Sequence, residues 1–89
     1  MFVRIHERVC RRHPELSNDD VRSAWANAFL IQERWGDGLP DGTLVALGTD
    51  GRGRLLEMIG VLLGDGTVLI YHAMTPPTKK VLDELRRMM

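Results

Sequence analysis

Within the run VLIYHAM, residues 68–74, His72 is the one imidazole among apolar and aromatic neighbours. A histidine titrates near neutrality and can take up or give back a proton. It can equally pack as a neutral ring bonded to a backbone carbonyl. On strand alternation His72 shares a face with Val68, Ile70 and Met74, and that mostly apolar face favours the packed ring. Glu57 is the second unusual residue, an acid inside LLEMIG. With a turn at residues 64–66, position 57 lies opposite about 72 to 74 on the next strand, so Glu57 and His72 can pair. Glu57 would then orient the ring. Arg52 and Arg54 flank the turn DGRGR. A guanidinium fork fits phosphate oxygens, although solvated turn arginines would look the same. A titratable ring, an acid that orients it and nearby cations are the parts of general acid–base chemistry.

Three further residues could bind an anion. His13 ends the first basic stretch beside Arg11 and Arg12, where a helix dipole would also favour it. Lys79 and Lys80 stand at the start of the last helical segment, a position the dipole disfavours for cations, which suits either an anion site or a solvated helix end. His6 is expected on a polar face in solvent. Cys10 falls on an apolar stripe, and Trp25 and Trp35 read as core anchors. No metal is expected, because His6, His13 and His72 lack ligand spacing. No cofactor is expected either, since the chain has no P-loop, GxGxxG or GxSxG.

These residues must be positioned by few elements. Phe2, Ile5, Val9 and Cys10 predict a helix over residues 2–13, stopped by Pro14. SNDDVRSAWANAF predicts a second helix, with Ser17 as N-cap, Asp20 at N3 and Val21, Ala24, Trp25 and Ala28 on one face. FLIQERW is either a strand or the tail of that helix, and GDGLPDG is a loop. TLVALGT, RLLEMIGVLL and TVLIYHAM predict antiparallel strands joined by Asp-Gly turns, with a bulge at Gly60. A last helix runs from about Thr78 to Met88, with Val81, Leu82, Leu85 and Met88 on one face and the Met-rich end RRMM. The class is α+β: two N-terminal helices, an antiparallel meander of three or four strands and a C-terminal helix. The helices should cover one sheet face and leave the other partly open to a pocket or partner.

Eighty-nine residues make one domain, residues 1–89, with a thin margin of stability that a second copy or a partner would widen. The formal net charge is zero, so no global field draws the chain to nucleic acid or to an acidic membrane. Arginines nonetheless crowd the first thirteen residues, where Arg4, Arg8, Arg11 and Arg12 meet only Glu7. One cysteine excludes a disulfide framework and suits a reducing cytosol. No apolar run approaches a membrane span, and MFVRIHERVC lacks the apolar centre of a signal peptide, so a cytoplasmic protein is expected.

RRHPELSNDDVRSAWANAF resembles the KHG-x-S-x-E-E-A opening of BrnT-type toxins, bacterial type II toxins with a RelE-like ribonuclease fold. LVALGTDGRGRLLEMIGVLLGDGTVLIYHAM is similar to their meander, and together the resemblance covers about residues 11–88. It implies a metal-independent endoribonuclease that arrests growth and is held inactive by a cognate antitoxin protein. His72, Glu57 and Arg54 would then be catalytic, and Arg52, His13, Lys79 and Lys80 would bind the RNA substrate. The chain departs from the pattern at its last strand. Where the family ends in Ser-Ala-Arg, this chain has His72, Ala73 and Met74. The alternative is a non-catalytic module on the same fold, binding an antitoxin-like protein or forming a homodimer through the open sheet face and the RRMM end.

Overall fold

The computed structural model describes residues 2–36 and 38–88. Asp37 of the GDGLPDG loop and Met89 of the RRMM end lie outside the described residues. The class is α+β, as expected. The elements in chain order are β1 (Val3–Ile5), α1 (Arg8–Arg12), α2 (Asn18–Ala26), β2 (Leu30–Arg34), β3 (Thr43–Thr49), β4 (Leu55–Leu62), β5 (Val68–Met74) and α3 (Lys79–Met88). They build one five-stranded sheet in the order β1-β5-β4-β3-β2. β2 to β5 form an antiparallel meander, and β1 joins β5 in parallel.

Two expectations are corrected at the N-terminus and on the sheet. Residues 2–13 are not one helix: Val3–Ile5 is a strand, and only Arg8–Arg12 is helical. Val3 and Ile5 are β-branched and match Val68 and Ile70 in register, so burial against β5 outweighs the helical stripe that Phe2, Ile5 and Val9 suggested. FLIQERW resolves as strand at Leu30–Arg34. The helices also do not share one face. α1 and α2 cover the face carrying Ala46, Leu56, Met58, Val68, Ile70 and Ala73. α3 lies over the other, where Arg34 bonds Glu84 and Glu57 bonds Thr78.

α2 forms as its sequence dictates. Ser17 Oγ accepts the Asp20 N–H at 3.1 Å and the Asp20 carboxylate accepts the Ser17 N–H at 2.9 Å, a reciprocal capping box. A cap of this kind contributes about 1 kcal/mol. Val21, Ala24 and Trp25 are buried against the sheet. Close approach depends on Gly48 of β3, where a Cβ would stand 2.0 Å from the Ala24 carbonyl oxygen.

The sheet carries one irregularity. On the β4–β5 pair Gly60 faces Ile70 but Ile59 faces His72, so Tyr71 is an extra residue in β5. Gly60, where a bulge was expected, supplies the room: a Cβ there would meet Val68 Cγ1 at 2.9 Å. The bulge changes the parity of the strand. Val68 and Ile70 point into the α1/α2 core, yet so does Ala73, and all three are fully buried. His72 therefore does not share a face with Val68 and Ile70. It points to the opposite side and remains half-buried.

α3 packs lightly. Its apolar residues Val81, Leu82 and Leu85 are only half-buried and Met88 is exposed. The helix is tied down mainly by polar contacts: a bidentate Arg34–Glu84 pair, the Gln32 amide to Met88 Sδ at 3.3 Å, and the bonds from Thr78 to Glu57. A cavity of about 250 Å³ remains between α3 and the sheet, lined by Val45, Ile59, Tyr71, Val81 and the Glu57 carboxylate among others.

Candidate functional site

Glu57 and His72 come together as the strand register suggested. Glu57 faces Met74 on β5, and His72 reaches it diagonally, with Nε2 2.9 Å from Glu57 Oε2. The other carboxylate oxygen, Oε1, accepts the Thr78 N–H at 3.0 Å and the Thr78 hydroxyl at 2.8 Å. Glu57 thus sits at the positive end of α3, where a carboxylate is favoured. It is nearly inaccessible, whereas His72 is not: their side-chain exposures are 4% and 29%. The acid inside LLEMIG therefore has two tasks, holding a helix and holding a ring.

This geometry fixes the tautomer of a neutral His72. A carboxylate that accepts two bonds at Oε1 is an acceptor at Oε2 as well, so His72 Nε2–H donates and Nδ1 keeps its lone pair. A ring oriented by a buried carboxylate and partly open to solvent is the arrangement a general base requires.

A second histidine stands beside it. The His13 ring lies edge-on to His72, with 6.3 Å between centroids and an interplanar angle of 89°. His13 has its own carboxylate, with Nδ1 3.7 Å from Glu15 Oε1, and its side chain is 30% exposed. The segment holding His13 is clamped from below, because Arg54 Nη1 donates to the Glu15 carbonyl at 3.1 Å. A third neighbour comes from α1. Arg8 Nε donates to the Tyr71 carbonyl at 3.1 Å, and its guanidinium lies 5.6 Å over the Tyr71 ring. The carbonyl is free for Arg8 because β1 pairs with β5 only as far as Ile70. Arg8 is the cation that motif reading passed over; the arginine-rich first thirteen residues were its only signal.

Arg54 and Arg52 occupy a different environment. Arg54 donates to Asp50 Oδ2 at 2.8 Å and to Asp20 Oδ2 at 3.1 Å. Asp50 is completely buried and also accepts the backbone N–H groups of Arg52 and Arg54 at 2.9 Å each. Burial pushes the Asp50 pKa up, but those two backbone bonds and the Arg54 guanidinium outweigh it and hold the carboxyl below the usual range. Asp20 is also lowered, first by the Ser17 N–H and further by Arg52 and Arg54. Arg54 is thereby neutralised twice over and positions the Glu15 segment. Arg52 is mostly exposed, 3.8 Å from Asp20. Lys79 and Lys80 are exposed at the start of α3, and Lys80 lines the mouth of the cavity. Cys10 is half-buried, and burial, then the charge of Asp20, pushes its thiol pKa up, away from nucleophilic use.

Among the described residues no three His, Cys, Asp or Glu side chains converge to hold a metal ion, and no helix is long and apolar enough to cross a membrane. Comparisons with protein-family models, curated proteins and solved structures each find no match, so the site stands on its own geometry.

Proposed function

We propose that this chain is a metal-independent endoribonuclease whose acid–base pair is His72 and His13. The observation that carries the reading is the edge-on approach of two half-exposed histidines, each beside its own carboxylate. His72 Nδ1 accepts the proton of a ribose 2′-hydroxyl. The 2′-oxygen attacks phosphorus, the bond to the 5′-oxygen breaks, and protonated His13 gives its proton to that leaving oxygen. A 2′,3′-cyclic phosphate and a 5′-hydroxyl result, and solvent resets both rings. Arg8, held one residue from His72 by the Tyr71 carbonyl, supplies positive charge for the pentacovalent state. Exposed Arg52, Lys79 and Lys80 guide the flanking backbone. Arg54 is a positioning residue. In a bacterial host such an activity arrests growth unless a partner protein, an antitoxin, masks the site.

The test is incubation of the full chain with RNA in EDTA, with product ends identified. Cyclic phosphate termini that disappear in His72→Ala and in His13→Ala support the reading. Each loss should be about 10²- to 10⁴-fold, the usual share of one acid or base. Intact RNA at every concentration, or cleavage unchanged in both variants, overturns it. Induction without a partner gives the cellular counterpart: wild type should stop growth and folded His72→Ala should not.

A further inference from the structure

We propose that the free edge of β2 is the interface of a homodimer, in which two copies pair antiparallel about a two-fold axis at Gln32. The two edges of the sheet differ. β1 is three residues long, whereas β2 spans Leu30–Arg34 and contains no proline, glycine, lysine or bulge. Those are among the devices that keep an edge from adding another strand; of the two charges β2 does carry, Arg34 is engaged by Glu84 of α3. Its outward surface is also unusually apolar. Phe29, Ile31 and Trp35 are 57%, 48% and 76% exposed. Ile31 faces Ala46 across β3, which puts it on the α1/α2 side of the sheet, and alternation puts Glu33 on that side too; Phe29 and Trp35 flank the strand at its two ends.

The sequence of the edge selects its own partner and register. Centred on Gln32, antiparallel pairing sets Phe29 opposite Trp35 of the second copy at both ends, Ile31 opposite Glu33, and Leu30 opposite Arg34. Two cross-strand aromatic pairs form and no like charges meet, while each Gln32 amide on the axis stays bonded to Met88 of its own α3. Centring on Glu33 sets two glutamates face to face. Centring on Ile31 sets Phe29 against Glu33 and leaves Trp35 unmatched. Four rings of this exposure, the two Ile31 side chains and the new ladder bury on the order of 1,000 Å², the threshold for a specific interface. The dimer leaves catalysis unobstructed, since β4 and β3 separate β5, with His72, from β2.

Sedimentation equilibrium of the full chain across a concentration series tests the association, with circular dichroism checking that variants fold. Wild type should sediment as a dimer at high concentration and Ile31→Lys as a monomer. Disulfide trapping in a Cys10→Ser background tests the register. At a two-fold axis Gln32 lies about 4.5–5.5 Å, Cα to Cα, from its own copy, within reach of a disulfide. Gln32→Cys should therefore cross-link under oxidation, while Glu33→Cys should not. A monomeric wild type overturns the proposal and leaves the edge to a strand of another protein. A dimer that survives Ile31→Lys, or that links through Glu33→Cys in preference to Gln32→Cys, overturns it too.

Discussion

At the scale of single residues, Glu57 does more for stability than the histidine it orients. Removing its carboxylate leaves the Thr78 N–H, the Thr78 hydroxyl and His72 Nε2 without their acceptor. Removing the His72 ring takes one donor from a carboxylate that keeps two others. Glu57→Ala should cost about 1–3 kcal/mol for the stranded groups, and His72→Ala on the order of 1 kcal/mol or less. In thermal melts of a domain this size each kcal/mol is roughly 4–8 °C, so the first variant should melt well below the second. Equal melting temperatures would show that α3 does not depend on Glu57. The pairing itself was readable before folding, because Asp-Gly turns fix strand register closely enough to place 57 near 72–74. The second task of Glu57 was not readable, since nothing in LLEMIG signals a helix start at Thr78, 21 residues downstream. His13 likewise read as a helix end, and only the path of the chain through Glu15 and Arg54 brings it to His72.

At the scale of elements, α2 and α3 are held in contrasting ways. α2 lies so close to β3 that Gly48→Ala must displace the helix, with the new methyl 2.0 Å from the Ala24 oxygen. Alanine would ordinarily favour a strand slightly, but overpacking of this degree costs about 1–3 kcal/mol or more. A melting temperature no lower than wild type would contradict that contact. α3 buries no residue fully and is fastened by Thr78, Arg34 and Gln32. Hydrogen exchange should accordingly be faster in α3 than in α2, and Thr78→Val should speed it further. Slower exchange in α3 than in α2 would refute this. Capping residues, Asp-Gly turns and β-branched runs made α2 and the meander readable from the sequence. β1 was hidden because Val3–Ile5 is too short to show a period, and its identity as strand comes from β5, more than sixty residues away.

At the scale of the whole molecule, acid should unfold the domain through the Asp50–Arg54–Asp20 cluster that joins α2 to the β3–β4 turn. Both carboxyls are lowered in the folded state. The stability they contribute is fully present above the ordinary aspartate pKa of about 3.9 and is lost as pH falls through their lowered folded-state values. Asp50→Asn should reduce stability at neutral pH, because the buried position then faces arginine without a charge, and should flatten the acid limb of the stability curve. An unchanged acid limb in that variant would locate the acid sensitivity elsewhere. The extra residue in β5 has a consequence of another kind. Whether the His72 ring meets solvent or hydrocarbon depends on where the extra residue falls rather than on a side chain. Absorbed into a regular ladder with the same residues, the strand would turn His72 toward the side of Ile70, whereas deleting Tyr71 would keep His72 on the opposite side and take away the carbonyl that Arg8 binds. Changes of register at this bulge should therefore part His72 from Glu57 where conservative substitutions of the neighbouring side chains do not.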